Sequence, residues 1–422
     1  MPSLLNTVGC LTPLFAVLLL VLSACSKSDD AKRPVAATHP PVAQPATPDR
    51  KLMTELGRNM FFDKRLSASG KQSCATCHDP AHAYAPANDL AVQLGGARLD
   101  QQGARAVPSL RYVLNRTPSW HRPFVASLGE RIREGVESPS GGFAWDGRFN
   151  TLHEQAAFPL LAQNEMGNRS EQEVSGKLAH ADYAPQFRKV FGAAIFNTPH
   201  EAYEKALLAI EQFEIDDASF HPYSSKFDAY LDGKASLTVP EARGFALFND
   251  PNKGNCASCH IDAKGGDGSH PLFTNYEHEA LGVPRNPEIK ANADPKYYDK
   301  GVCGPTRTSL TDQPDLCGLF KAPTLRNVAS RGAFFHNGRF HTLKAALEFY
   351  VQRDANPERW YPHGGQGVVK FDDLPEAERD NVDVVDLPLT GKRGEKPVWN
   401  AQDIDDVMAF LKTLTDEDVK NR

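Results

Sequence analysis

Cys74-Ala75-Thr76-Cys77-His78 and Cys256-Ala257-Ser258-Cys259-His260 decide the reading of this chain. Each stretch places two thiols three residues apart with an imidazole directly after them, the pattern of a c-type haem attachment site. The thiols suit covalent bonds to the haem vinyl groups, and the imidazole is left facing the iron as proximal ligand. A zinc knuckle or a redox Cys-x-x-Cys would use the same spacing. Two complete copies in an exported chain argue against both, because thiols outside the cytosol must be oxidised, metallated or covalently used.

Export is expected from the N-terminus. An apolar run over residues 14–22 is too short to span a membrane and ends in small residues before Cys25, so residues 1–24 read as a signal peptide. Leu22-Ser23-Ala24-Cys25 resembles a bacterial lipobox, although no Lys or Arg precedes the apolar run. Cys25 is thus the expected lipid attachment point, and ordinary cleavage nearby is the alternative. Residues 25–48, rich in Pro, Ala and Thr, then form a tether with little to bury. The expected location is the periplasm, with membrane contact through lipid alone. Of the eight cysteines, Cys10 leaves with the signal, Cys25 takes lipid and four hold haem. Cys303 and Cys317 remain as the expected disulfide. The net charge of −6, without a sustained basic run, gives no reason to expect nucleic acid.

Two further blocks recur in the same order. Val107-Pro108-Ser109-Leu110-Arg111 echoes Ala322-Pro323-Thr324-Leu325-Arg326, and Trp145-Asp146-Gly147-Arg148-Phe149 echoes His336-Asn337-Gly338-Arg339-Phe340. The pattern predicts two cytochrome c-like haem domains related by internal duplication, an N-terminal one over 49–225 and a C-terminal one over 226–422. Tyr203, Leu207, Ile210 and Phe213 fall at helical spacing, as do Ile404, Val407, Leu411 and Leu414. The expected fold is mainly α with long irregular loops.

Function should lie where the copies differ. Twelve residues after Gly338 stands Tyr350, in an expected helix over 343–350; the same count from Gly147 reaches Pro159. Proline offers no donor, so the first haem would be open and the second closed by a phenolate, a hard ligand that favours oxidised iron. A core aromatic is the alternative for Tyr350. Methionine competes poorly: Met53, Met60, Met166 and Met408 are all the mature chain has. Near Pro159, Glu165 and Gln155 could move and orient a proton on bound peroxide.

At these residues the chain resembles the bacterial di-haem cytochrome c peroxidase and MauG family over nearly all of the mature sequence. Beyond the haem motifs the likeness rests on Phe61-Phe62-Asp63-Lys64-Arg65-Leu66-Ser67, Trp145-Asp146-Gly147-Arg148, Phe320-Lys321-Ala322-Pro323-Thr324-Leu325-Arg326-Asn327 and Phe335-His336-Asn337-Gly338. It implies two covalent c-type haems flanking a domain interface, with Trp145 as a relay between them and Gln155 and Glu165 as the distal pair. Tyr350, and a loop over 93–106 that holds no histidine, favour the MauG-like branch.

Two departures stand out. An insertion over 118–142 contains His121, read as a solvated loop histidine. The family's inter-haem calcium site is weakened, with Ala106 in place of an asparagine and Arg331 and Ala333 in place of Thr and Pro, which leaves calcium to backbone carbonyls. The expectation is a peroxidase that takes hydrogen peroxide at the His78 haem and draws electrons from a protein donor through the His260/Tyr350 haem. A conventional cytochrome c peroxidase that detoxifies peroxide, and a non-enzymatic electron-transfer cytochrome, are the rivals.

Overall fold

Two pairs of crossed helices frame the molecule in the computed structural model, which describes residues 49–112, 116–122, 138–365 and 367–419. Helix α1 (Arg50–Phe62) starts where the Asp49 carboxylate accepts the Lys51 and Leu52 amides. It packs along the helix Pro199–Asp216. The second pair is Val239–Asn249, opened by a Thr238/Glu241 capping box, against Ala401–Lys412, opened by an Asn400/Asp403 box. Such boxes satisfy amides that the first helical turn leaves without partners.

Both crossings are made at a glycine. A Cβ on Gly57 would lie 1.9 Å from the Ala209 carbonyl oxygen, and one on Gly244 would lie 1.9 Å from that of Asp406. The stripe Tyr203, Leu207, Ile210 and Phe213 is buried, as are Ile404, Val407 and Leu411, so the expected helical periodicity is present. Leu414 is also buried but lies two residues past its helix. Full burial of such side chains contributes about 1.5–3 kcal/mol each.

The remaining helices, numbered in chain order, are α2 (Cys74–Cys77), α3 (Leu152–Leu161), α4 (Glu171–Ala179), α5 (Ala184–Phe191), α6 (Pro199–Asp216, already introduced), α7 (Lys226–Leu231), α8 (Val239–Asn249), α9 (Leu343–Gln352) and α10 (Ala401–Lys412). Strands among the described residues are limited to three antiparallel ladders of two residues a side. They pair Leu94–Gly95 with Gln101–Gln102, His278–Glu279 with Phe320–Lys321, and His363–Gly364 with Gly367–Val368. The fold is mainly helical with long connecting loops.

The apolar core falls into separate clusters. Two gather residues between Leu56 and Phe220, including Leu178, Phe187 and Phe213. A third gathers Phe227, Phe248, Phe273, Phe349 and Phe410. A smaller one surrounds the disulfide joining Cys303 to Cys317. Ion pairs from buried arginines tie distant segments together: Arg111 reaches the buried Asp416 (3.0 Å) and the exposed Asp418 (2.5 Å), while Arg326 reaches the buried Asp228 (2.8 Å).

Local geometry repeats as well. Phe143 bridges Phe149 across the Gly147 turn, and Phe334 bridges Phe340 across the Gly338 turn, with φ of 62° and 63° at the two glycines. Helices α3 and α9 follow these turns, and each is capped by a threonine hydroxyl, Thr151 accepting from the Glu154 amide and Thr342 from that of Ala345. The signal peptide, Cys25 and the tether lie outside the described residues, as do residues 123–137 of the insertion. His121 is described, exposed, and hydrogen-bonded through Nδ1 to the Ser119 carbonyl.

Candidate active site in one cavity between two histidines

A cavity of about 610 Å³ is lined by Cys74, Cys77 and His78 and also by Cys256, Cys259 and His260. Each histidine is aimed by its own loop. His78 Nδ1 bonds the Tyr84 carbonyl at 3.0 Å, and His260 Nδ1 bonds that of Phe273 at 2.8 Å. Both acceptor residues sit in left-handed backbone, φ 54° and 53°. A carbonyl can only accept, so Nδ1 carries the proton and Nε2 presents a lone pair, the tautomer of a metal-ligating histidine. Burial pushes the His78 proton affinity down to about 4, against the pull of the Tyr84 and Pro108 carbonyls and with help from the Arg331 charge. Burial lowers His260 too.

The four motif cysteines are unbridged. Burial drives Cys74 and Cys256 up to about 12 and Cys77 and Cys259 up to about 11. Among the described residues the donor atoms of these motifs do not gather around one small metal ion. Those of Cys303, Cys317 and Glu378 do, but the two sulfurs are already bonded to each other.

The wall also carries Gln155, Pro159 and Glu165, all on or just after the helix that follows the Gly147 turn. Pro159 lies in the last turn of α3. The chain then folds back, with the Glu165 amide on the Ala162 carbonyl (3.0 Å) and the Met166 amide on the Pro159 carbonyl (3.0 Å). Gly95 makes room for this turn, since a Cβ there would sit 2.3 Å from the Asn164 carbonyl oxygen. Burial raises the Glu165 carboxyl to about 7, opposed by the Arg148 charge. That value suits a group that must gain and lose a proton near neutrality.

On the His260 side Tyr350 occupies the position in α9 that Pro159 occupies in α3, the eighth residue of a ten-residue helix. It also lines the cavity and packs on Phe335 with ring centroids 5.5 Å apart. Burial raises its pKa well above that of an ordinary phenol, and the Cys259 and Cys256 sulfurs add to the rise, which locates the phenol against the second motif. Met408 packs against the core cluster of α8 and α10 instead.

Trp145 lines the same cavity, and its Nε1 donates to the Ala106 carbonyl at 2.7 Å. Its own carbonyl accepts the Lys321 amide at 2.8 Å. The neighbouring Asp146 carboxylate is fully buried and accepts from Arg105 (2.7 Å) and Arg148 (3.0 Å). The Asp146 carbonyl accepts from Arg307 (2.7 Å), and Arg105 also grips Asp299 (2.6 Å). Lys321 lies close by with its ammonium on the Gly142 carbonyl, its pKa lowered to about 8 by burial. Four cations thus face two carboxylates in a largely buried region, and Arg105, Arg148, Asp299 and Lys321 line the cavity. Buried charge of one sign calls for a counter-charge. The propionates of two haems would supply it, so the residues present fit that cofactor.

Arg105, Arg148 and Lys321 stand in the sequence only as members of short motif blocks or of a loop, and their joint role is spatial. Glu214 was missed. It is buried, lines the same cavity, has Oε2 without a hydrogen-bond partner, and is pushed up to about 8 by burial. A carboxylate on the apolar stripe of α6, next to Phe213, was the signal.

The positions expected to hold calcium do not fit it. Arg331 Nη2 donates to the Val107 carbonyl at 3.0 Å and Nε to that of Ala333 at 3.3 Å. Ala106 has no side-chain oxygen, and its carbonyl already serves Trp145. A divalent ion needs six to eight oxygens; here it would meet a guanidinium and engaged carbonyls.

Residues 51–236 match a family profile described as di-haem cytochrome c peroxidase. The methylamine utilization protein MauG of Paracoccus denitrificans is 31% identical over 388 residues, spanning 89% of this chain and 91% of that protein. The cytochrome c551 peroxidase of Pseudomonas aeruginosa is 28% identical, spanning 92% of this chain and 98% of that protein. The crystal structure of the diheme peroxidase BthA from Burkholderia thailandensis superposes with a TM-score of 0.78 at 37% identity, covering 90% of each chain.

Proposed function

This chain belongs to the di-haem cytochrome c peroxidase and MauG family and is a haem peroxidase, and from that premise we propose a MauG-like division of labour between its two histidines. In this reading residues 49–225 form a peroxidatic haem domain and residues 226–422 an electron-transfer haem domain. The matching carbonyl acceptors, turns and helix caps around the two motifs support a duplicated origin. Cys74, Cys77 and His78 would hold one haem, and Cys256, Cys259, His260 and Tyr350 would hold the other.

The observation that carries the proposal is the pairing of Pro159 with Tyr350 at one helix position in a shared cavity. Haem iron, when bound, supplies the peroxide-binding site and electrons for breaking the O–O bond. The protein's own groups do the rest. Glu165 would take a proton from one peroxide oxygen and return it to the leaving oxygen, while the Gln155 amide would orient the peroxide. Consuming one peroxide takes two electrons and two protons and yields two waters. Trp145, held by Ala106, stands on the electron route between the two sides. Electrons come from a protein donor, as the kinship with cytochrome c peroxidases suggests. The enzyme works in the periplasm, tethered through lipid at Cys25.

The similarity to cytochrome c551 peroxidase along almost its whole length favours a second reading, simple removal of peroxide with a small cytochrome as donor. Steady-state turnover separates the two. MauG-like action predicts slow turnover with reduced cytochrome c and oxidation of a specific aromatic residue in a protein substrate; rapid turnover with cytochrome alone would favour detoxification and overturn the division proposed here.

A further inference from the structure

The misfit at the calcium position has a structural counterpart. Arg331 joins two segments that lead to opposite halves of the cavity. On one side is Val107, which directly follows Ala106, the acceptor for the Trp145 indole. On the other is Ala333, followed directly by the Phe334 bridge to Phe340 and by Phe335, the ring against which Tyr350 packs. The same stretch is pinned by His341, whose Nδ1 bonds the Gly332 carbonyl at 3.1 Å.

We propose that the Arg331 guanidinium is a built-in replacement for a divalent cation between the two haem sites. It brings one positive charge and directed N–H donors to the Val107 and Ala333 carbonyls, where a bound ion would bring two charges and need more oxygens than this chain offers. A cation of this kind is part of the chain and cannot be removed by a chelator. It also lines the cavity that holds His78. Arg331 is therefore a positioning residue: it fixes the segments that hold Trp145 and Tyr350 and places a fixed positive charge in the wall of the shared cavity, without touching peroxide. The inference rests on haem at both histidines, but not on which haem reacts.

The test uses the full-length holoprotein. Titration of the wild type with calcium chloride, followed by calorimetry, is expected to show no uptake, and EGTA is expected to leave its ferric EPR spectrum and melting temperature unchanged. Arg331→Ala should lower the midpoint potential of the His78 haem, alter the EPR signal, and reduce the melting temperature by roughly 2–4 °C, the shift expected for the loss of about one hydrogen-bonded link. Arg331→Lys, which keeps the charge but not the fork, should restore the potential more than the melting temperature. The double variant Ala106→Asn/Arg331→Thr should take up one calcium ion per chain, with EGTA then changing its spectrum. Calcium uptake or EGTA sensitivity in the wild type overturns the proposal, as does an Arg331→Ala protein identical to wild type in potential and melting, or a double variant that ignores calcium. If Arg331→Ala does not fold, the wild-type arm decides alone. Absence of a high-spin signal from the untreated wild type would instead overturn the functional reading and leave the comparison of melting temperatures standing.

Discussion

Replacing Glu165 with glutamine should make the protein more stable and much less active. Burial lifts this carboxyl from an ordinary 4.5 to about 7. A pKa difference of one is worth about 1.4 kcal/mol, so holding the carboxylate ionised at pH 8 costs the folded state up to about 3 kcal/mol. The sign follows from the direction of the shift. A raised carboxyl binds its proton more tightly when folded, so the cost is absent below pH 4.5, grows as pH rises through the folded value near 7, and is complete above it. Glu165→Gln removes the ionisation and nearly preserves the shape. Its advantage over wild type in urea denaturation should therefore be near zero at pH 4.5 and reach up to about 3 kcal/mol at pH 8. The rate should move the opposite way. Loss of a general acid–base group costs about 10²–10⁴-fold. Stopped-flow mixing of the ferric enzyme with peroxide, followed in the Soret band, should show that loss. In wild type the rate constant should fall about tenfold per pH unit below 7, as the base becomes protonated. A variant that keeps the wild-type rate, or a wild-type profile flat from pH 5 to 8, would refute the role given to Glu165.

Other perturbations have equally definite outcomes. Trp145→Phe should slow the optical response of the second haem to peroxide by roughly tenfold or more, the effect of about 1.4 kcal/mol on a barrier; an unchanged response in rapid-mixing spectra would remove Trp145 from the route. Gly244→Ala forces a Cβ to within 1.9 Å of the Asp406 carbonyl oxygen, an overpacking that should cost at least about 1–3 kcal/mol in thermal unfolding, whereas Gly176→Ala, inside the helix Glu171–Ala179 with open space around it, should stabilise by about 0.5–1 kcal/mol. Paired Cys303→Ser and Cys317→Ser changes open a bridge of sequence separation 14 and should cost about 3 kcal/mol by denaturant titration, with dithiothreitol reproducing the loss in wild type.

The parts of this molecule that could be read in advance are those written at short range. The stripe from Tyr203 to Phe213 announces α6 because a helix repeats every 3.6 residues. Pro159 and Tyr350 could be compared because each sits at a fixed distance from a Gly-Arg-Phe block that aligns by eye. The charge cluster beside Trp145 was hidden for the opposite reason. Arg105 meets Asp146 across 41 positions and Asp299 across 194, and no local pattern records such pairings. Arg331 was legible as a departure from the expected calcium ligands, but its bond to the Val107 carbonyl, 224 positions away, was not. The two-residue ladders are too short to alternate, so they left no strand signature. Glu214 broke an otherwise apolar helix face, and only its burial in the cavity gives that break a meaning.

The central claim is that one histidine faces an open position and the other is opposed by Tyr350. Low-temperature EPR of the ferric holoprotein tests it most directly, alongside the Tyr350→Phe variant. One high-spin and one low-spin haem in the wild type, with the low-spin signal converted to high-spin by Tyr350→Phe, is the predicted result. Two low-spin haems in the wild type, or a low-spin signal that survives loss of the phenol, would contradict the assignment.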